Sequence, residues 1–250
     1  MVFGMSFVAS RAGGGGVAEA ICEAVPGAEE LRYVGAGGEA DMYAMRLARA
    51  QTGRSKIMKC EGGYHGMSAE ALMRLAPSRL QNFPRAVPDS AGIPESVGDG
   101  ILVAPFNDSD FAESLIDEHG DDIAGIIVEP LQRLIPPAPG FLETLRAKAD
   151  EHGIVLIFDE VVTGFRLAYG GAQQAYGVTP DLCTLGKIIG GGMPLAAIAG
   201  REEIMRHFDK SAVGEKGFTF QTGTLSGNPL ASIAGLKTLE ILRRPGAYET

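Results

Sequence analysis

The chain has 250 residues, 45% of them hydrophobic, and a formal net charge of −9 at pH 7. That suits one large α/β domain or two small ones around a real core. An acidic chain with no basic stretch, no apolar run of membrane-spanning length and no basic n-region within Met1–Ser10 argues against nucleic-acid and membrane partners, and for a cytoplasmic protein.

In chain order, short apolar runs alternate with helical patterns. The glycine run Gly13–Gly16 is too flexible for a helix interior. Leu31–Val34 is the first candidate strand, followed by the turn Gly35-Ala36-Gly37-Gly38 and a helical pattern over Ala40–Ala50. Lys56–Cys60 is the second strand and leads into Glu61-Gly62-Gly63-Tyr64-His65-Gly66. Pro77 to Pro94 holds four prolines and predicts a long surface loop. Ile101–Ala104 and Gly125–Val128 are further strands, and the helical segment between them ends in His119-Gly120. Gly140–His152 carries Phe141, Leu142, Leu145 and Ala149 at helical spacing and ends in His152-Gly153. Both His-Gly ends predict a cation beside a glycine C-cap, so these histidines read as caps rather than catalysts. Ile154–Phe158, Asp181–Leu185 and Leu195–Ala199 complete the strands. Several are apolar on both faces, as expected for strands covered by helices on both sides. The pattern predicts a three-layer α/β/α domain with a mainly parallel sheet of about seven strands. No internal repeat or domain boundary is visible. Cys22, Cys60 and Cys183 are odd in number and far apart, so neither a disulfide framework nor a zinc site is expected, and reduced thiols fit a reducing compartment.

In such sheets ligands gather at the carboxyl ends of the strands, where the candidate residues fall. Asp159 ends the apolar run Ile157-Phe158; buried there, it stays ionised only with a cation, a metal or hydrogen bonds, although an isolated Asp-Glu pair also fits a helix cap. No His or further acid lies nearby in sequence, so no metal is expected. Lys187 follows Thr184-Leu185-Gly186; among small and apolar residues it is expected to lose hydration and become a neutral nucleophile, or else to snorkel beside a glycine turn. Gly186-Lys187 is not a phosphate-binding P-loop, and no G-x-G-x-x-G follows a first strand, which disfavours a dinucleotide dehydrogenase. The turn before Glu39-Ala40 offers a helix N-terminus to an anion. Tyr64 is an aromatic that can stack on a flat ligand or simply sit in a loop. Gly223-Thr224-Leu225-Ser226-Gly227-Asn228-Pro229 is a hydroxyl-rich turn that fits an anion or a helix cap.

Taken together, the residues resemble the class III (fold type I) pyridoxal-phosphate (PLP) aminotransferases, closest to the glutamate-1-semialdehyde 2,1-aminomutase branch. The resemblance is carried by Ile126-Ile127-Val128-Glu129-Pro130, Leu156 through Arg166, Tyr169-Gly170-Gly171-Ala172-Gln173, Gly177 through Leu182, Thr184-Leu185-Gly186-Lys187 and Gly223 through Pro229. It implies that Lys187 forms the Schiff base with PLP and shuttles the proton, and that Asp159 keeps the pyridine nitrogen protonated. It further implies Val161 and Tyr64 on opposite ring faces, Gly37 and Gly38 donating N–H groups to the phosphate, and Glu129 and His65 near the ring. Thr224 would reach the phosphate of a neighbouring subunit, which implies a homodimer acting on a small-molecule amino donor and a carbonyl acceptor. Residues 1–250 would then be the PLP-binding large domain, without the family's N-terminal segment and smaller C-terminal domain.

Two departures bear on function. The family's hydroxyl-bearing turn reads Ala36-Gly37-Gly38 here, and each hydrogen bond lost to a charged group costs roughly 1.5–3 kcal/mol. The segment after Glu129-Pro130 runs straight into Leu131-Gln132-Arg133-Leu134-Ile135-Pro136-Pro137, shorter than in the semialdehyde aminomutases. The expected activity is therefore a transaminase, with an intramolecular aminomutase or a non-catalytic paralogue that only binds PLP or dimerises as alternatives.

Overall fold

Strands dominate the centre because their sequences are apolar on both faces. The computed structural model describes residues 10–11, 16–76 and 82–249; most of the Gly13–Gly16 run and the start of the proline-rich segment lie outside them. The strands are β1 (Ser10–Arg11), β2 (Glu30–Val34), β3 (Lys56–Cys60), β4 (Ile101–Ala104), β5 (Ile123–Val128), β6 (Val155–Glu160), β7 (Leu182–Leu185) and β8 (Ala196–Gly200). All seven expected strands are present, joined by the two-residue β1 at one edge, in the order β1-β2-β8-β7-β6-β5-β3-β4. Pairing is parallel from β4 through β3, β5 and β6 to β7, whereas β8 runs antiparallel to both β7 and β2.

The helices are α1 (Val17–Ala24), α2 (Gly37–Thr52), α3 (Ser109–His119), α4 (Phe141–His152), α5 (Gly171–Tyr176), α6 (Glu202–Met205), α7 (Lys210–Gly217) and α8 (Pro229–Leu242). Alternation along the strands builds two cores, one on each face of the sheet. Leu156 and Phe158 of β6 join Ile126 and Val128 of β5 under α1, α3, α4 and α8. Val155 and Ile157 face the other way, with Ile57 and Ile127, and pack beneath Ala44, Leu47 and Ala48 of α2. The three-layer expectation holds.

Local details revise two expectations. Gly153 ends α4 in the left-handed conformation at φ 62°, as its His-Gly signal predicts. Gly120 does not repeat this: its φ is −54°, and a Cβ there would collide with the His152 imidazole. The glycine serves the close approach of the α3 and α4 ends, and His152 Nε2 lies 3.1 Å from Asp117 Oδ1 of α3. The described part of the proline-rich loop is pinned to the sheet: Val103 N–H donates to Pro84 O at 2.9 Å, and Arg74 N–H to Val87 O at 3.0 Å. All three cysteines are free, with Cys60 and Cys183 buried. Among the described residues no helix is long and apolar enough to cross a membrane.

Asp181, just before β7, ties the opposite edge of the sheet together. Its carboxylate accepts from Leu156 N–H at 2.8 Å, Arg146 Nη1 at 2.9 Å and Arg201 Nη1 at 3.1 Å. Removing it leaves a buried backbone donor unpaired and takes one of two carboxylate partners from Arg146, which keeps Asp150. Asp181→Ala is expected to lower unfolding free energy by about 2–3 kcal/mol in urea titrations followed by circular dichroism.

Candidate active site

Four neighbouring strands, β3, β5, β6 and β7, release their chains at one edge of the sheet, and α2 begins there too. Asp159 is the penultimate residue of β6, and alternation turns it toward α2 while Glu160 turns away. The acid pair therefore divides. Glu160 is buried against Thr163 Oγ1 at 3.1 Å and Gln173 Nε2 at 3.0 Å, and burial pushes its pKa up. Asp159, 4% exposed, stands in the cavity floor, with Val161 N–H donating to Oδ1 at 3.1 Å and His65 Nδ1 at 2.7 Å from Oδ2.

The loop after β3 carries Tyr64 and His65. It is anchored by Lys59, whose buried Nζ donates to the Ala71 and Met73 carbonyls, each at 2.8 Å. Burial lowers the pKa of that amine to about 8. Tyr64 N–H donates to Glu129 Oε1 at 2.6 Å, so the acid just after β5 holds the Tyr64 backbone in place while the residue stays 44% exposed.

Helix α2 starts at Gly37, earlier than the apolar pattern indicates, and its N-cap Ala36 makes no side-chain bond. Glu39 reaches back to accept the Gly35 N–H at 2.8 Å. The first-turn N–H groups of a helix have no intrahelical acceptors and favour an anion. Glycine is required here by close approach: a Cβ on Gly38 would lie 2.6 Å from Gly66 Cα, and one on Gly37 would lie 2.7 Å from Val161 Cγ1.

Lys187 opens a short 3₁₀ turn after β7 with φ 46°. The expected loss of hydration is not what the structure shows. The left-handed turn throws the side chain off the end of the strand, and it stands exposed in the cavity instead of packing among apolar groups.

Gly38, Tyr64, Glu129, Asp159, Val161 and Lys187 line one cavity of about 340 Å³. A more open cleft of about 870 Å³ shares Gly38, Tyr64, Val161 and Lys187 with it and adds Gly37 and Arg166. His65 lies directly behind Asp159. Thr224 is exposed and lines neither space; its turn ends in Asn228, whose side chain caps α8 by accepting Ala231 N–H at 3.0 Å. The fold also gathers residues that the sequence reading passed over. Asp41 of α2 is 2% exposed and meets Thr184 Oγ1 at 2.6 Å, and Arg133 sets its guanidinium 5.9 Å from the Tyr64 ring centroid. The signal for Asp41 was present: an acid on the helix face that also carries Ala44 and Ala48. Asp41, His65 and Asp159 bring ligand-type atoms within 4.8 Å of one another. The sequence reading saw no such neighbours because they come from three distant segments.

Residues 5–249 match the family Aminotransferase class-III. The chain belongs to that family. It is 50% identical over 236 residues to a glutamate-1-semialdehyde 2,1-aminomutase of Brevibacillus brevis, a match covering 93% of this chain and 53% of that protein. An omega-transaminase from Sphaerobacter thermophilus superposes with a TM-score of 0.84 at 41% identity, covering 90% of this chain and 52% of that one. A solved transaminase with PLP bound also reaches a TM-score of 0.84, at 34% identity over 93% of this chain and 54% of that one. The chain thus spans about half the length of the class-III relatives it matches.

The contact between Gly38 and Gly66 joins the first turn of α2 to the Tyr64 loop. Gly38→Ala forces backbone apart from backbone and is expected to cost about 1–3 kcal/mol of stability, with faster amide exchange over residues 62–67. Urea titration and hydrogen-exchange mass spectrometry read both effects.

Proposed function

We propose that this chain is the PLP-binding large domain of a transaminase that moves an amino group between a small-molecule donor and a carbonyl acceptor. The observation that carries the reading is one cavity holding a buried carboxylate, an exposed lysine and a helix N-terminus, contributed by β6, the turn after β7 and α2.

The residues fit the cofactor. A cationic ring nitrogen needs a buried anion, and Asp159 is one, held by His65 and the Val161 N–H. A phosphate needs donors, and the first turn of α2 presents the Gly37 and Gly38 N–H groups without a Cβ in the way. A planar ring needs two faces, and Val161 and Tyr64 line the same cavity. Bound there, PLP supplies an electron sink for the carbanion formed when an amino donor loses its Cα proton.

Each residue then has a definite task. Lys187 would hold the cofactor through its amine and, with that amine free, would take up the donor's Cα proton and give it back. Asp159 would pair with the ring nitrogen and hold a proton there. Glu129 fixes the Tyr64 backbone, and His65 orients the Asp159 carboxylate. Thr224, exposed and outside both cavities, is assigned to the phosphate of a second copy, so the working unit is a homodimer. The short segment from Glu129 to Pro136 favours transamination, whereas the 50% identity to a protein named as an aminomutase supports intramolecular transfer as the second reading.

The first test is the near-visible spectrum of the protein with added PLP, for wild type and Lys187→Ala, with and without borohydride. Wild type is expected to show a lysine-linked cofactor band that borohydride fixes covalently, and Lys187→Ala is expected to lack it. A folded dimer without the band would reduce the chain to a non-catalytic relative. With a competent donor, Lys187→Ala should slow the half-reaction by at least ~10²-fold in stopped-flow measurements. Product analysis then separates the readings: a transaminase requires an added carbonyl acceptor, and an aminomutase turns over without one.

A further inference from the structure

Two carboxyl groups are buried side by side in the cavity floor. Asp41 projects from α2 and Asp159 from β6, and both are nearly sealed from solvent, at 2% and 4% exposure. The Thr184 hydroxyl of β7 sits between them, 2.6 Å from Asp41 Oδ1 and 3.5 Å from Asp159 Oδ1. One hydroxyl has one proton to give, so it satisfies one carboxylate at a time. The other charged groups around Asp41 are Glu129 at the end of β5, Glu39 on its own helix, and Lys187 and Arg133 at the cavity wall. His65 offers Nδ1 to Asp159, and its Nε2 finds no partner among the described residues, so the ring donates nothing to a second anion.

The two acids are not equivalent. Asp159 receives the His65 ring and the Val161 N–H, whereas Asp41 has the Thr184 hydroxyl and, against its own charge, the Asp159 carboxyl. We propose that Asp41 is a positioning residue that carries the proton of this carboxyl pair and leaves Asp159 as the pair's one anion. Protonated Asp41 donates to Thr184 Oγ1, which frees the Thr184 hydroxyl to donate to Asp159 Oδ1. The chain of bonds runs Asp41 to Thr184 to Asp159, with every member satisfied and no proton transferred. Burial first, and the neighbouring Asp159 charge second, hold the Asp41 pKa well above the ordinary carboxyl value, in agreement with that order.

The sign of the pH effect follows. The folded chain keeps a proton on Asp41 that the unfolded chain loses once pH passes the usual carboxyl value of about 4. Stability from this group is therefore complete below that pH and declines as pH rises toward the folded pKa. Melting temperatures of the cofactor-free 250-residue chain and of Asp41→Asn are measured across the acid-to-alkaline range. The wild type should fall behind the variant as pH rises, with the gap reaching at least about 2 °C near neutrality. Parallel profiles overturn the proposal. If Asp41→Asn does not fold, infrared spectra of ¹³C-aspartate-labelled wild type decide: a protonated-carboxyl carbonyl band at neutral pH is expected, and its absence overturns the proposal. Only the third measurement rests on the PLP reading. Asp41→Ala should weaken PLP binding about tenfold, and Asp41→Asn should recover most of it, because a neutral donor is what the site needs. Equal losses in both variants would show that the Asp41 charge matters, against the proposal. Absence of PLP binding in wild type would sink the function proposed above while leaving the first two measurements to judge Asp41.

Discussion

Parallel strands cannot be joined by tight turns; each must return by a crossover, so neighbouring parallel strands all end at the same edge of the sheet. In this chain β3, β5, β6 and β7 lie side by side and parallel, and the segments that leave them deliver Tyr64 and His65, Glu129, Asp159 and Lys187 to one place. α2 lies across the same face of the sheet, with its first turn at that edge. The cavity is a consequence of this topology.

Electrostatics then sort the converging groups. A carboxylate at the end of a buried strand is tolerated because a histidine and a backbone N–H compensate it. A second carboxyl beside it, on α2, has far less compensation. The site's opposite end is assembled from backbone: the first turn of α2 meets the Tyr64 loop at a glycine-to-glycine contact that admits no side chain on either partner. The same segments that position the chemistry are thus braced by the core, with buried Lys59 fastening the Tyr64 loop from beneath.

Membership of the class-III aminotransferases goes with this scaffold, and two local features shape the cavity walls. Its α2 begins without a hydroxyl cap, so an anion there depends on backbone donors and the helix dipole. Its short segment after Glu129 turns tightly, with Arg133 and Leu134 both at positive φ, and brings a guanidinium to the cavity rim beside Tyr64. Both features belong to the cavity walls.

The sequence by itself determined the layers. Runs such as Ile154 to Phe158 are apolar on both faces, and only a strand covered on both sides satisfies them, so all seven longer strands were legible. It also marked Asp159, Lys187, Tyr64 and the glycine turn, because each follows a strand or precedes a helix, positions that a one-dimensional pattern reveals. Tertiary structure decided the rest, since those features depend on residues far apart in the chain. Whether Gly120 caps a helix or makes room depended on His152; whether Lys187 is desolvated depended on the turn that carries it clear of the sheet. The pairing of Asp41 with Asp159 joins residues on α2 and β6 through a hydroxyl on β7, a contact set by packing a helix across a sheet and by no local pattern.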